Sequence, residues 1–158
     1  MRKGQSAMEY LMTYGWAILV IIVVIAVLFY IGVLNPRNVT PTTCTFQPGF
    51  SCVTFILRTN GNLSLIVGQA TGHRVHITGL SCNSGDDPIN WRELDVNITN
   101  GQSRSLGNSS CTDSDGVILT GVPGETGKFG VWLNYTEMDT ETKDRRQVKG
   151  DITVRYEP

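Results

Sequence analysis

Hydrophobic and polar positions change rhythm once along this chain, near residue 36. Before that point, Tyr10 to Leu34 form an uncharged, mainly apolar run of 25 residues. A helix of that length, rising about 1.5 Å per residue, measures roughly 37 Å, against about 30 Å for the hydrocarbon core of a bilayer. The run therefore predicts a helix that crosses a membrane with tilt or with turns protruding. Ile18 to Ile25 is dominated by β-branched residues and carries no polar face. A helix apolar all round is surrounded by lipid or by other helices. Asn35-Pro36 closes it, because the residue before proline is pushed out of the helical region.

After residue 36 the pattern becomes short, alternating and rich in turn residues, which predicts strands. They are expected at Cys52 to Arg58, Leu63 to Val67, His73 to Thr78, Glu93 to Thr99, Val117 to Thr120, Lys128 to Thr136 and Asp151 to Tyr156. In the last of these Ile152, Val154 and Tyr156 share one face, and Asp151, Thr153, Arg155 and Glu157 the other, as in a half-buried antiparallel sheet. Asn60-Gly61 between two apolar runs signals a tight turn. The segment from Pro36 to Pro48, with Thr40-Pro41-Thr42-Thr43, reads as an extended hinge. The expected class is α+β: a long N-terminal hydrophobic α-helix followed by a mostly antiparallel β head domain of about 120 residues, enough for one core.

Charge orients the helix. Arg2 and Lys3 are the only basic residues before Arg37, and the positive-inside bias places them on the cytoplasmic side with everything from Arg37 onward exported. A secretory signal would carry a shorter apolar stretch and a small-x-small cleavage site after it. Leu34 is followed by Asn35-Pro36-Arg37, so the candidate processing point lies before the apolar run, at Gly4-Gln5.

Lys3-Gly4-Gln5-Ser6-Ala7-Met8-Glu9, leading into Tyr-Leu-Met-Thr-Tyr-Gly-Trp-Ala-Ile-Leu, resembles the class III signal peptide of archaeal type IV pilin-like proteins. The resemblance covers about the first 34 residues. It implies cleavage after Gly4 by a membrane-embedded aspartate prepilin peptidase, with Gln5 as the new N-terminus and the helix retained. In that family the helix is first a membrane anchor and then the packed core of a helical filament of identical subunits. The implied organisation is a cleaved leader at 1–4, a transmembrane and filament-core helix at 5–35, a hinge at 36–48 and a pilin-like extracellular head at 49–158. Cleavage would remove Arg2 and Lys3, taking the formal charge from −1 to −3 (11 basic residues against 14 acids). That balance gives no footprint for nucleic acid.

Glu9 poses the sharpest chemical question, since a carboxylate at the edge of an apolar helix is costly to bury unpaired. Cleavage before Gln5 would create an α-ammonium one turn away, and the helix dipole favours a negative charge there. Glu9 is thus a candidate for setting subunit register during assembly; the simpler reading is a first-turn acid at headgroup level. Tyr10, Tyr14 and Trp16 read as interfacial anchors. Outside a membrane the helix would expose roughly 2,000 Å² of apolar surface, on the order of 50 kcal/mol at about 25 cal/mol per Å². Such a chain is membrane-held or polymerised.

Cys44, Cys52, Cys82 and Cys111 all fall in the exported part, where an even number suggests two disulfides. Three connectivities are open, and local closure favours Cys44 with Cys52 and Cys82 with Cys111. Neither histidine lies near a cysteine and no Cys-x-x-Cys occurs, which argues against a zinc site. Five Asn-x-Ser/Thr sequons, at Asn38, Asn62, Asn97, Asn108 and Asn134, predict surface glycosylation.

Catalysis finds little support. His73 and His76 would point to opposite faces of a strand with no nucleophile in recognisable spacing. Asp113-Ser114-Asp115-Gly116 starts like a calcium loop but lacks the closing acid, since residue 124 is glycine, and reads as an acidic turn. Lys143, Arg145, Arg146 and Lys149, diluted by Glu141, Asp144 and Asp151, read as a solvated hairpin loop. The sequence therefore predicts a structural subunit of an archaeal type IV pilus-like surface filament, without enzymatic activity, cofactor or metal. It would be a single-pass membrane protein before assembly, and its head would serve adhesion or surface contact. The alternative is a non-polymerising membrane-anchored surface protein or a minor pilin.

Overall fold

The computed structural model describes residues 3–32 and 40–158. The chain divides into two compact units, Met1–Thr40 and Pro41–Pro158.

The first unit is a single helix, α1, Lys3–Tyr30. Within it Met12–Tyr30 has a mean hydropathy of 2.6 and no buried share, and it is the one helix among the described residues long and apolar enough to cross a membrane. The Thr13 hydroxyl is absorbed locally, as its Oγ1 donates to the Glu9 carbonyl at 2.8 Å. The tyrosine rings of Tyr10 and Tyr14, one turn apart, approach to 4.5 Å. The regular helix stops at Tyr30, earlier than the expected Asn35. Gly32 adopts a φ of 73° and its amide donates to Phe29 O at 3.1 Å, the left-handed termination that glycine allows.

The second unit is built from eight strands: β1 Thr43–Phe46, β2 Phe50–Arg58, β3 Asn62–Gln69, β4 Val75–Asn83, β5 Arg92–Ile98, β6 Ser103–Ser110, β7 Thr126–Glu137 and β8 Arg145–Glu157. They form one sheet in the order β5-β4-β7-β8-β2-β3-β6, with β1 also on β8. Pairing is antiparallel except where Leu57 and Arg58 of β2 meet Tyr156 and Glu157 of β8. Alternation fills the inside: Leu63, Leu65 and Val67 from β3, Val75 and Ile77 from β4, and Ile152, Val154 and Tyr156 from β8 are all buried.

The two free edges, β5 and β6, are consecutive strands that pair outward rather than with each other. Their seam is locked at three points. At the β5–β6 turn, buried Gln69 donates to Ile98 O (3.1 Å) and His73 O (2.9 Å) and accepts from Thr71 N and Oγ1 (both 3.0 Å). Along the seam, the Arg92 guanidinium of β5 donates to the Leu106 and Asn108 carbonyls of β6. At the far end Thr112 N donates to Cys82 O and Ser84 N to Thr112 O, each at 3.0 Å, beside the Cys82–Cys111 disulfide.

The α+β, pilin-like expectation is therefore overturned. The chain is mostly β, and its sheet curls into a nearly closed barrel-like form, not a small head on a dominant helix. The reason is that the sheet is more extensive than the alternation suggested. Ser103–Ser110 has one buried apolar residue on its strand, Leu106, and gave no signal, yet it pairs along β3. Thr43–Phe46, read as hinge, runs antiparallel to β8. β8 begins at Arg145 rather than Asp151 and β4 continues to Asn83. Conversely, Val117 to Thr120 is no strand: Ile118 makes one isolated bridge to Thr112, and Val117 and Ile118 are exposed. The Asn60-Gly61 turn stands as expected. Gly61, at φ 80°, donates to Arg58 O, and a Cβ there would collide with the Leu119 carbonyl.

Candidate functional site

Most candidate residues lie on two surfaces, the bare helix and the outer face of the sheet, while one cysteine pair lies in the core. On α1, Gly4 and Gln5 fall in the first turn, so the expected cleavage bond lies within the helix as it stands. Glu9 is exposed and lies beyond that first turn, which contains no acid. Successive side chains around the helix are open to their surroundings: Val20, Ile21 and Ile22, each about 100° further round, are 48%, 58% and 61% exposed. A stripe for one partner would leave a second, polar face; here there is none, so lipid or several neighbouring helices must cover it.

The cysteines form two bridges, Cys44–Cys52 and Cys82–Cys111, with Cα atoms 6.0 and 4.6 Å apart. They differ in setting. Cys82 and Cys111 are in the core, whereas Cys44 and Cys52 are half-buried at the start of the second unit.

Four sequons lie on strands, at Asn62 in β3, Asn97 in β5, Asn108 in β6 and Asn134 in β7; Asn38 lies outside the described residues. Asn97 and Asn108 are exposed, Asn62 and Asn134 half-buried. Asn62 and Asn108 belong to one arrangement, because register sets Asn62 opposite Ser110 and Ser64 opposite Asn108. Ser110 Oγ donates to Asn62 Oδ1 at 3.1 Å, and Ser64 Oγ donates to Asn108 Oδ1. Each serine hydroxyl thus serves the asparagine of the opposite sequon. Asn134 faces the bulge of β4 and its Oδ1 accepts from Gln147 Nε2 at 3.3 Å.

The remaining polar candidates have structural partners. His76 Nε2 lies 2.7 Å from Asp95 Oδ1 across β4 and β5, and His73 supplies its carbonyl to Gln69. Asp113 Oδ1 accepts from the amides of Asp115 and Val117, both at 2.9 Å, which closes the acidic turn on itself. The basic cluster is dispersed rather than looped out: Arg145, Arg146 and Lys149 stand on β8. Arg146 pairs with buried Glu137 at 3.0 Å, and the Lys149 ammonium lies 5.0 Å from the Trp132 ring centre. Among the described residues no three His, Cys, Asp or Glu side chains gather as metal ligands would. The Asp139 carboxyl is held below the usual carboxylate range, first by the Arg74 amide (2.8 Å) and then by its guanidinium (2.9 Å). Burial, with Glu125 nearby, pushes the Tyr156 phenol above its ordinary value.

No protein-family model and no curated protein matches this sequence. The site residues therefore rest on their chemistry and on the leader's resemblance.

Proposed function

We propose that the chain is a structural subunit of a type IV pilus-like surface filament, with α1 as membrane anchor before processing and as filament core after it. One observation carries the reading: the Lys3 to Tyr10 block runs without a break into a helix that is exposed on every side and has no polar face. Retention of such a helix on the mature chain requires lipid or like helices around it. The two disulfides of the second unit fit an oxidising compartment, and the sequons fit a sugar-coated surface. The reading draws on the leader and helix and asks nothing of pilin-like architecture in the sheet.

N-terminal sequencing of protein sheared from cells tests it. Gln5 as the first residue of sheared, polymeric material is the expected result. An intact Met1 found only in the membrane fraction refutes the filament reading in favour of a permanently anchored surface protein, which the same helix would also serve.

A further inference from the structure

A concavity of about 470 Å³ over β4, β5 and β7 takes in Thr78, Gly79, Trp91, Glu93, Asn134 and Arg145. Its floor is a consequence of local backbone. β4 shifts register between Ile77 and Gly79 against both neighbours, so it bulges there. Gly79 leaves the bulge bare and the six-membered ring of Trp91 covers it; a Cβ on Gly79 would sit 3.2 Å from Trp91 Cε3. Trp91 still keeps 37% of its surface open.

The loop that leads into Trp91 is tied to the end of β4. Asn83 Nδ2 donates to Asp87 O (3.0 Å), Gly85 N to Asn83 Oδ1 (2.8 Å) and Ser81 Oγ to Ile89 O, and both Ser81 and Asn83 are fully buried. Asn90 then enters Trp91 with a φ of 53°, the one positive φ outside glycine among the described residues. Such a conformation persists where its surroundings over-determine it, and it clusters at binding sites.

Polar groups suited to hydroxyls ring this platform. Asn134 Oδ1 is satisfied by Gln147, while Nδ2 lies beside Trp91, 3.6 Å from the Cβ position of Gly79. Glu93 and Arg145 are exposed and take part in none of the ion pairs among the described residues. A pyranose offers an apolar C–H face to an aromatic ring and equatorial hydroxyls to an amide, a carboxylate and a guanidinium. One aromatic surface within a largely polar hollow suits that ligand better than a wholly apolar one.

We infer that this concavity binds a pyranose ring stacked on Trp91. The sugar is either the glycan carried by Asn134 itself, a source that rests on the exported, glycosylated reading, or a glycan of another molecule, which does not.

The test uses the full chain in micelles of a sugar-free detergent. Unglycosylated chain is probed with glucose, galactose, mannose and N-acetylglucosamine by saturation-transfer NMR, and chain glycosylated at Asn134 is examined for ring-current shifts of its first sugar. Expected is transfer to the C–H protons of at least one pyranose, or upfield-shifted protons on the Asn134 sugar. Trp91→Ala should abolish the signal or weaken binding by about tenfold or more, and Trp91→Phe should retain part of it. Gly79→Ala, which displaces the ring, should weaken it while the fold, followed by circular dichroism, survives. Transfer to a free sugar that persists in chain glycosylated at Asn134 assigns the site to another molecule's glycan. Shifts confined to the attached sugar assign it to Asn134. Neither signal in folded protein overturns the proposal, whereas sugar binding by a chain that never enters filaments refutes the filament reading alone.

Discussion

Removing the seam disulfide should cost more than removing the entrance disulfide, by an amount the structure fixes. In the loop-closure treatment, a bridge spanning 29 residues, as Cys82–Cys111 does, restrains the unfolded chain by about 3.6 kcal/mol. The bridge spanning 8, Cys44–Cys52, restrains it by about 2.5 kcal/mol. Cys82 and Cys111 are 2% and 0% exposed, so replacing both with alanine also leaves a void, worth about 1 kcal/mol more. The half-buried entrance pair leaves little. Cys82→Ala/Cys111→Ala should therefore lose about 4.5 kcal/mol and Cys44→Ala/Cys52→Ala about 2.5 kcal/mol, of a total that for a single domain is roughly 5–15 kcal/mol. Urea unfolding of the full chain in micelles reads this difference through Trp132, which is buried under Lys149 and reports on the sheet. By thermal melting the gap should be roughly 6–10 °C, at about 3–5 °C per kcal/mol for a domain of this size. Equal losses, or a larger loss at the entrance, would show that the seam is held without the bridge and that the closure argument is wrong.

Gln69→Leu keeps the volume but strands the Ile98 and His73 carbonyls and the Thr71 amide, and should cost about 2–4 kcal/mol in the same urea assay; a loss below 1 kcal/mol would remove Gln69 from the seam. Thr112→Val should be neutral or stabilising by up to about 1 kcal/mol, because the buried Thr112 hydroxyl has no partner while its backbone bond to Cys82 is kept. Asp139 should titrate below an ordinary aspartate in carboxyl-carbon NMR. Its folded pKa is depressed, so its contribution to stability is present above the unfolded value and is lost as pH falls through the folded one; Asp139→Asn should flatten that acid limb. Glu9→Gln should leave the amount of membrane-inserted chain unchanged while sharply reducing sheared filaments; normal assembly would confine Glu9 to the headgroup level.

What the sequence discloses follows the range of the forces involved. The helix is legible because a run without charge from Tyr10 to Leu34 is a local property, and nothing elsewhere in the chain alters what lipid or like helices do to it. Alternation likewise exposes β8, where Ile152, Val154 and Tyr156 turn inward. It fails for β6, whose sequence Ser-Arg-Ser-Leu-Gly-Asn-Ser-Ser has no apolar rhythm; that strand exists because β3 offers it a ladder and Leu106 a place in the core. The extent of the sheet escapes the sequence for the same reason, since β1 and β6 are what extend it towards closure, and both are specified by partners distant in sequence. The site over the β4 bulge lies further from view. A tryptophan following Pro88-Ile89-Asn90 is a visible oddity in a polar loop, yet its meaning depends on Gly79, twelve positions earlier, and on Asn134, forty-three later, meeting beneath and beside it. The helix and the sheet thus answer different demands. One exposes a surface that other molecules must cover, and the other closes on its own core and leaves its outer face free to carry sequons and a ring platform.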